Sequence, residues 1–195
     1  RFEEELARWI LDRTFRDLNM LRSEISSDTT FSVNVSPHQL DGGIFLKNLT
    51  AAMKAHSIRP ELIKIEITEK DALSGSQLTL QQIREVRKLG IKLAMDDFGM
   101  GHSSLMYLKE YEFDTIKIDG ALVKELLTNP TCGGIITSVV NLGHSLNFAV
   151  IAEYVETQEQ RDTLHELGCN IYQGYYYSKP LPIEELCVYA RILRA

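Results

Sequence analysis

The sequence lacks the features that mark several common classes of protein. No apolar run reaches the ~18 residues that a membrane-spanning helix needs, and no export signal is recognisable, so we expect no direct membrane contact from this segment. The three cysteines show no C-x-x-C spacing, which argues against a zinc knuckle or redox pair and favours reduced thiols. The 21 Lys and Arg residues against 27 Asp and Glu give a net charge of -6, and without a basic block we expect no nucleic-acid partner.

The sequence does contain a regular alternation of strand-like and helical segments. Amphipathic stretches such as Leu78–Leu89 and Gln158–Leu167 separate short β-type runs, and Gly168 is placed to end the second helix. This alternation predicts an α/β fold with parallel strands. The predicted strands are Phe31–Ser36, Ile63–Thr68, Lys92–Phe98, Thr115–Gly120, Phe148–Val155 and Asn170–Tyr176.

Each predicted strand has one apolar face and one face that becomes polar near its end. In IKIEIT, for example, Ile63, Ile65 and Ile67 oppose Lys64, Glu66 and Thr68. Helices must cover the apolar faces, so the polar faces point into a space that tolerates charge. The mouth of a (β/α) barrel fits this pattern best. An open sheet with a charged crevice is the alternative.

Polar side chains occur at the ends of all six predicted strands. If the strands converge, several carboxylates meet around one lysine, and their repulsion would destabilise the fold without compensation. Bound Mg²⁺ or Mn²⁺ would compensate the repulsion, since both ions prefer carboxylate and amide oxygens. Adjacent carboxylates also suit a site for two metal ions. The strand-end residues are Asn34, Glu66, Asp96, Asp97, Lys117, Asp119, Glu153 and Gln173, with Glu69 and Glu156 just after two of the strands.

Six segments, in order and over nearly the whole chain, resemble the EAL domain, a bacterial family of cyclic di-GMP phosphodiesterases. They are "SVNVSPHQL", "IEITE", "DDFGMGHSSL", "FDTIKIDGALV", "IAEYVET" and "GCNIYQGYYYSKPLP". The combination of DDFG-x-G-x-SSL, KID and QGY is highly specific, although each motif alone is weak. The resemblance implies a TIM-like (β/α) barrel of the EAL type.

The resemblance also implies roles for individual residues. One metal ion would be bound by Asn34, Glu66 and Asp96, and a second by Asp96, Asp97 and Glu153. Lys117 matches the lysine that orients the attacking water, and Gln173 matches a substrate-binding glutamine at the edge of the site. Glu69 matches the glutamate that holds the loop from Phe98 to Ser104, which couples metal binding to dimer contacts in the family.

The activity implied by the resemblance is hydrolysis of cyclic di-GMP to linear pGpG with two Mg²⁺ or Mn²⁺ ions, in bacterial second-messenger signalling. It further implies a homodimer, an upstream sensor or GGDEF-type domain in the full-length protein, and a cytoplasmic location, free or as the cytoplasmic part of a membrane-anchored sensor. A degenerate EAL module that binds cyclic di-GMP or a protein partner without cleaving anything is the alternative.

The sequence departs from the family pattern most clearly at its start. No Glu-Ala-Leu segment precedes Phe31, and the first 25 residues resemble the helix that follows it. With six predicted strands where a barrel has eight, we expect residues 1–195 to be an EAL domain truncated at its N-terminus, and the chain alone to have little or no activity. Met100 and His102 replace residues usual in the family. Tyr154 replaces a glycine, which predicts crowding beside Glu153.

A serine hydrolase is a further alternative, suggested by "GHSSL" at Gly101–Leu105. The segment lacks the second glycine of the G-x-S-x-G motif. Ser103 and Ser104 are better interpreted as caps of a following helix.

Overall fold

Strands and helices alternate along the chain, as the sequence predicts. The structure is a computed structural model that describes residues 2–25, 29–36, 39–40, 43–74, 76–99, 108 and 110–194, without the side chains of residues 2–4, 74 and 194. The main elements are α1 (Phe2–Leu21), β1 (Phe31–Asn34), α2 (Ile44–His56), β2 (Ile63–Thr68), α3 (Glu69–Ser74), α4 (Gln77–Lys88), β3 (Lys92–Phe98), β4 (Thr115–Ile118), α5 (Gly120–Glu125), α6 (Pro130–Leu146), β5 (Ala149–Ala152), α7 (Gln158–Glu166), β6 (Ile171–Tyr172) and α8 (Ile183–Arg194), with a 3-10 turn at Pro60–Leu62.

Side-chain caps fix where two of the predicted helices begin. Ser76 caps α4 and forms a reciprocal capping box with Thr79, and Thr157 does the same for α7 with Gln160. After α7 the chain reverses at Gly168, whose φ of 88° lies in the left-handed region that favours glycine. The boundaries predicted for these two helices are confirmed to within a residue.

Several strands are shorter than the sequence predicts, because polar residues at their ends take other roles. Strand β4 ends at Ile118, since the Asp119 carboxylate caps α5 by accepting a hydrogen bond from the Ala121 amide at 2.7 Å. Strand β6 contains only Ile171 and Tyr172, because the chain turns after Gly174, where the Tyr177 amide donates to the Gly174 carbonyl. Strands β1 and β5 are also shorter than predicted, with four residues each.

The chain divides into two compact units, and the first comprises residues 1–65, 75–92 and 180–195. Within it, helix α1 buries Leu11, Phe15 and Leu18 and packs against α2. A hydrogen bond of 2.8 Å joins the Asp12 carboxylate to the His56 ring at the end of α2. Helix α8 also contacts α1 in this unit.

The second unit comprises residues 66–74 and 93–179 and contains the parallel strands β3 to β6. Within this unit, strands β3 to β6 are hydrogen-bonded in chain order. In the second unit Leu93, Ile116, Ile118 and Ala152 are fully buried. Because neighbouring strands are parallel, their carboxyl ends meet at one edge, and this edge carries the polar residues described below.

No helix within the described residues is long and apolar enough to cross a membrane.

Candidate functional site

The ammonium group of Lys117 lies at the centre of a buried cluster of carboxylates. Lys117 is on strand β4, and its Nζ is 2.9 Å from Glu66 Oε2, 3.0 Å from Asp96 Oδ1 and 2.8 Å from Glu153 Oε1. The Lys117 side chain is only 6% exposed. Glu66 is on β2, Asp96 is on β3, and Glu153 directly follows β5. Four neighbouring strands therefore each contribute one charged group to the same place.

A distortion of strand β3 brings Asp97 to the same cluster as Asp96. Consecutive side chains of a regular strand point to opposite faces. The pairing of β3 with β4 shifts its register between Met95 and Phe98, and Asp97 has a φ of 56°. Carboxylate oxygens of Asp96, Asp97 and Glu153 consequently all lie within 4.8 Å of one another. The bulge explains how two adjacent aspartates serve one site.

One ammonium does not fully compensate these carboxylates, and their pKa values reflect this. Burial raises the pKa of Glu153 to about 7, with repulsion from Asp96 and Glu66 adding to the effect and Lys117 opposing it. Burial and repulsion from Asp96 and Asp119 also raise the pKa of Asp97. Burial alone would lower the pKa of Lys117, but its hydrogen bonds to Glu153 and Glu66 raise it well above its ordinary value. Lys117 therefore stays charged, while Glu153 gains or loses its proton near neutral pH.

Asp119 is a neighbour of the cluster to which the sequence assigned no role in the site. Its negative charge contributes to the raised pKa of Asp97, while its carboxylate caps α5. The signal was present in the sequence, because Asp119 ends a predicted strand two residues after Lys117.

Glu69 holds the chain just beyond the two aspartates. It is the first residue of α3, is 3% exposed, and accepts a hydrogen bond of 3.0 Å from the Gly99 amide. Helix α3 is fixed in turn by the buried Tyr111 hydroxyl, which donates to the Ala72 carbonyl at 3.0 Å.

The rest of the predicted loop, from Met100 to Ser104, lies outside the described residues. So do the departures at Met100 and His102, the segment Gly101–Leu105 behind the serine hydrolase alternative, and the helix caps at Ser103 and Ser104.

The structure does not test the roles predicted for two further site residues, Gln173 and Asn34. Gln173 follows β6, its backbone pairs with Ala152 and Val155, and its side chain is exposed. Asn34 is the last residue of β1 in the first unit, and its side chain is also exposed. Their roles in substrate and metal binding stay predictions.

Tyr154 does not displace Glu153 from the cluster. Its ring packs against Gly120 at the start of α5, and Glu153 keeps its contact of 2.8 Å with Lys117. The Tyr154 ring therefore lies against Gly120 rather than against Glu153, and glycine has no side chain to obstruct it.

The cluster has the chemistry of a divalent-cation site. All three clustered ligand candidates, Asp96, Asp97 and Glu153, offer carboxylate oxygens, which hard cations such as Mg²⁺, Mn²⁺ and Ca²⁺ prefer. A bound cation would also replace the proton that the raised pKa of Glu153 indicates. These residues fit the metal ions that the sequence predicts.

Comparison with known proteins agrees with the resemblance seen in the sequence. The family profile described as "EAL domain" matches residues 1–180. The bifunctional diguanylate cyclase/cyclic di-GMP phosphodiesterase MucR of Pseudomonas aeruginosa is 32% identical over 182 residues, covering 93% of this chain and 27% of MucR. The chain spans about a quarter of the length of the first curated relatives it matches.

Solved structures show the same fold. The EAL domain of Mycobacterium smegmatis DcpA matches with a TM-score of 0.89 at 31% identity, covering 97% of this chain and 85% of that one. The manganese/cy-diGMP complex of Klebsiella pneumoniae BlrP1 at pH 9.0 matches with a TM-score of 0.79 at 29% identity, covering 91% and 45%. The predicted α/β fold of the EAL type is confirmed, and the chain belongs to the EAL domain family.

Proposed function

We propose that this chain forms the catalytic part of a phosphodiesterase that hydrolyses cyclic di-GMP to linear pGpG with two divalent cations, Mg²⁺ or Mn²⁺. One observation carries the proposal: the buried Lys117 ammonium contacts three carboxylates, and Asp97 lies beside them. Among the matched structures, the P. aeruginosa MucR phosphodiesterase is a complex with c-di-GMP, with a TM-score of 0.87 over 93% of this chain and 74% of that one.

The proposed ligands divide into two sets that share Asp96. Asn34, Glu66 and Asp96 would hold one cation, and Asp96, Asp97 and Glu153 the other. Divalent cations in such a pair lower the pKa of a bound water and neutralise the charge of the phosphoryl group.

The protein's own groups prepare the site for this chemistry. Lys117 remains protonated and would orient the attacking water with its N–H groups. Glu153, whose pKa is about 7, would have to lose its proton before it could bind a cation. Glu69 would keep Asp97 in place through Gly99, and Gln173 would contact the substrate at the edge of the site.

The partners follow from the same proposal. We expect a homodimer formed through the loop after Asp97, and a sensor or GGDEF-type domain elsewhere in the full-length protein. The names of two relatives support the second point, since MucR is called a bifunctional diguanylate cyclase/phosphodiesterase and DosP of Escherichia coli an oxygen sensor protein. A cytoplasmic location belongs to the same proposal.

A second candidate function is cyclic di-GMP binding without hydrolysis. It is favoured by one observation, the raised pKa of Glu153 of about 7, because a proton on this carboxyl competes with the second cation.

The experiment separates binding from turnover. Mn²⁺ and cyclic di-GMP binding are measured by calorimetry on the 195-residue chain, and pGpG formation is measured by chromatography on the full-length gene product, with and without EDTA. We expect EDTA-sensitive hydrolysis that falls by about 10² to 10³ in Lys117→Met, because a preorganised charge beside the reacting group is lost.

The matched control is Lys88→Met, which removes an exposed lysine paired with Glu85 and should leave turnover unchanged. Nucleotide binding with no pGpG from the full-length protein would select the second candidate. Absence of both Mn²⁺ and nucleotide binding would contradict both.

A further inference from the structure

Tyr154 has an unusual backbone conformation at a position next to the carboxylate cluster. It directly follows Glu153 and has a φ of 54°, in the left-handed region where a β-carbon crowds the following carbonyl. Such conformations persist only where surrounding contacts hold them, and they are concentrated at functional sites. The contacts that hold Tyr154 are therefore informative.

Two residues of helix α5 hold the Tyr154 ring in place. A β-carbon at Gly120 would come within 2.2 Å of Tyr154 Cδ2, 2.5 Å of Cγ and 2.9 Å of Cβ, so only glycine lets the ring lie there. The Lys124 ammonium is 4.5 Å from the ring centroid, which is a cation–π distance. Gly120 thus contacts the Tyr154 side chain near its β-carbon, and Lys124 contacts the face of the ring, although Tyr154 is 52% exposed.

These contacts join the segment that carries Glu153 to helix α5, which is bonded in turn to the segment that carries Asp97. The segment after β5 carries Glu153, and Asp119, the cap of α5, donates its backbone amide to the carbonyl of Phe98, the residue after Asp97, at 3.1 Å. We propose that Tyr154 is a positioning residue: by packing on Gly120 and Lys124, it holds Glu153 and Asp97 at the spacing that a cation requires. The inference rests on the proposed function, but it concerns cation affinity and does not place Tyr154 in contact with the substrate.

The test is Mn²⁺ affinity of the 195-residue chain, measured by electron paramagnetic resonance, for substitutions on both sides of the contact. Tyr154→Gly removes the ring, and Gly120→Ala forces it away. Each should raise the Mn²⁺ Kd about tenfold, the lower end of what is found when groups that support metal ligands are removed. The double variant should bind no more weakly than Tyr154→Gly alone, because both changes act through one contact. Tyr154→Phe should retain the affinity.

Replacing a left-handed residue by glycine also removes its backbone strain, and a matched control accounts for this effect. Asn147 has a φ of 61° at the end of α6, and Asn147→Gly should leave the Mn²⁺ Kd unchanged. The unfolding temperature of each chain in EDTA reports purely structural effects. If Tyr154→Gly lowers that temperature but binds Mn²⁺ as tightly as the original chain, the positioning role is wrong. If the original chain binds no Mn²⁺, the proposed function fails first.

Discussion

Replacing Lys117 by methionine removes the positive charge at the centre of the cluster and keeps most of the side-chain volume. The change leaves Glu66, Asp96 and Glu153 without the ammonium that lies 2.8 to 3.0 Å from each of them. Removing one partner of a buried ion pair costs about 3 to 5 kcal/mol, because the remaining charge stays buried and uncompensated. We therefore expect a loss of about this size in the free energy of unfolding of the metal-free chain.

The measurement is thermal unfolding followed by circular dichroism in EDTA and in excess Mn²⁺. For a chain of this length each kcal/mol lowers the melting temperature by roughly 2 to 4 °C, so Lys117→Met should melt about 6 to 20 °C lower in EDTA. Some of this loss would appear instead as protonation of the carboxylates, which makes the effect smaller at pH 5 than at pH 8. Mn²⁺ should restore much of the loss, since cations would take over the role of the ammonium.

An exposed ion pair provides the comparison for this prediction. Lys88 is 2.7 Å from Glu85, and its side chain is 70% exposed, so Lys88→Met should change the stability by less than about 1 kcal/mol. Equal melting temperatures for Lys117→Met and Lys88→Met in EDTA would refute the reasoning that the cluster depends on one buried cation.

Three further predictions concern Glu153 and the segments near the cluster. Glu69→Ala should cost about 1 to 3 kcal/mol of stability and weaken Mn²⁺ binding, because the Gly99 amide loses its acceptor; urea unfolding and calorimetry measure the two effects. Gly174→Ala should destabilise the chain by about 1 to 3 kcal/mol, because the added β-carbon would lie 2.1 Å from the Val155 carbonyl oxygen. Gly134→Ala on helix α6 adds a β-carbon that meets no other atom, so it should stabilise the chain slightly. Urea unfolding of both variants compares the two effects. Glu153 has a pKa of about 7 in the folded chain and an ordinary value of 4.5, so between these pH values the folded chain keeps a proton that the unfolded chain loses. The free energy of unfolding of the metal-free chain should therefore fall by up to about 3 kcal/mol from pH 4.5 to pH 7. A melting temperature that rises with pH over this window would contradict the assignment.

Most of the fold could be predicted because the signals are local. The alternation of Ile63, Ile65 and Ile67 with polar residues places β2 correctly, and the cap at Thr157 with Gly168 bounds α7. The strand ends were less predictable, because a residue such as Asp119 fits either a strand or a helix cap by sequence alone. Only the position of the Ala121 amide decides between them.

The site was predictable in its composition but not in its geometry. Polar residues at the ends of parallel strands indicated that Glu66, Asp96, Lys117 and Glu153 would meet, and they do. The bulge that brings Asp97 to Asp96 has no sequence signal, since it depends on the pairing of β3 with β4. The packing of Tyr154 on Gly120 was also hidden, because it joins residues 34 positions apart.

Protons and divalent cations compete for the same charges in this cluster. Glu66, Asp96, Asp97 and Glu153 can carry four negative charges beside a single ammonium, and the raised pKa of Glu153, about 7, means that a proton on Glu153 reduces this excess in the metal-free chain below neutral pH. A cation that binds Glu153 must displace that proton. Mn²⁺ affinity should therefore increase from pH 5 to pH 8 with release of protons, while Lys117 stays charged throughout this range.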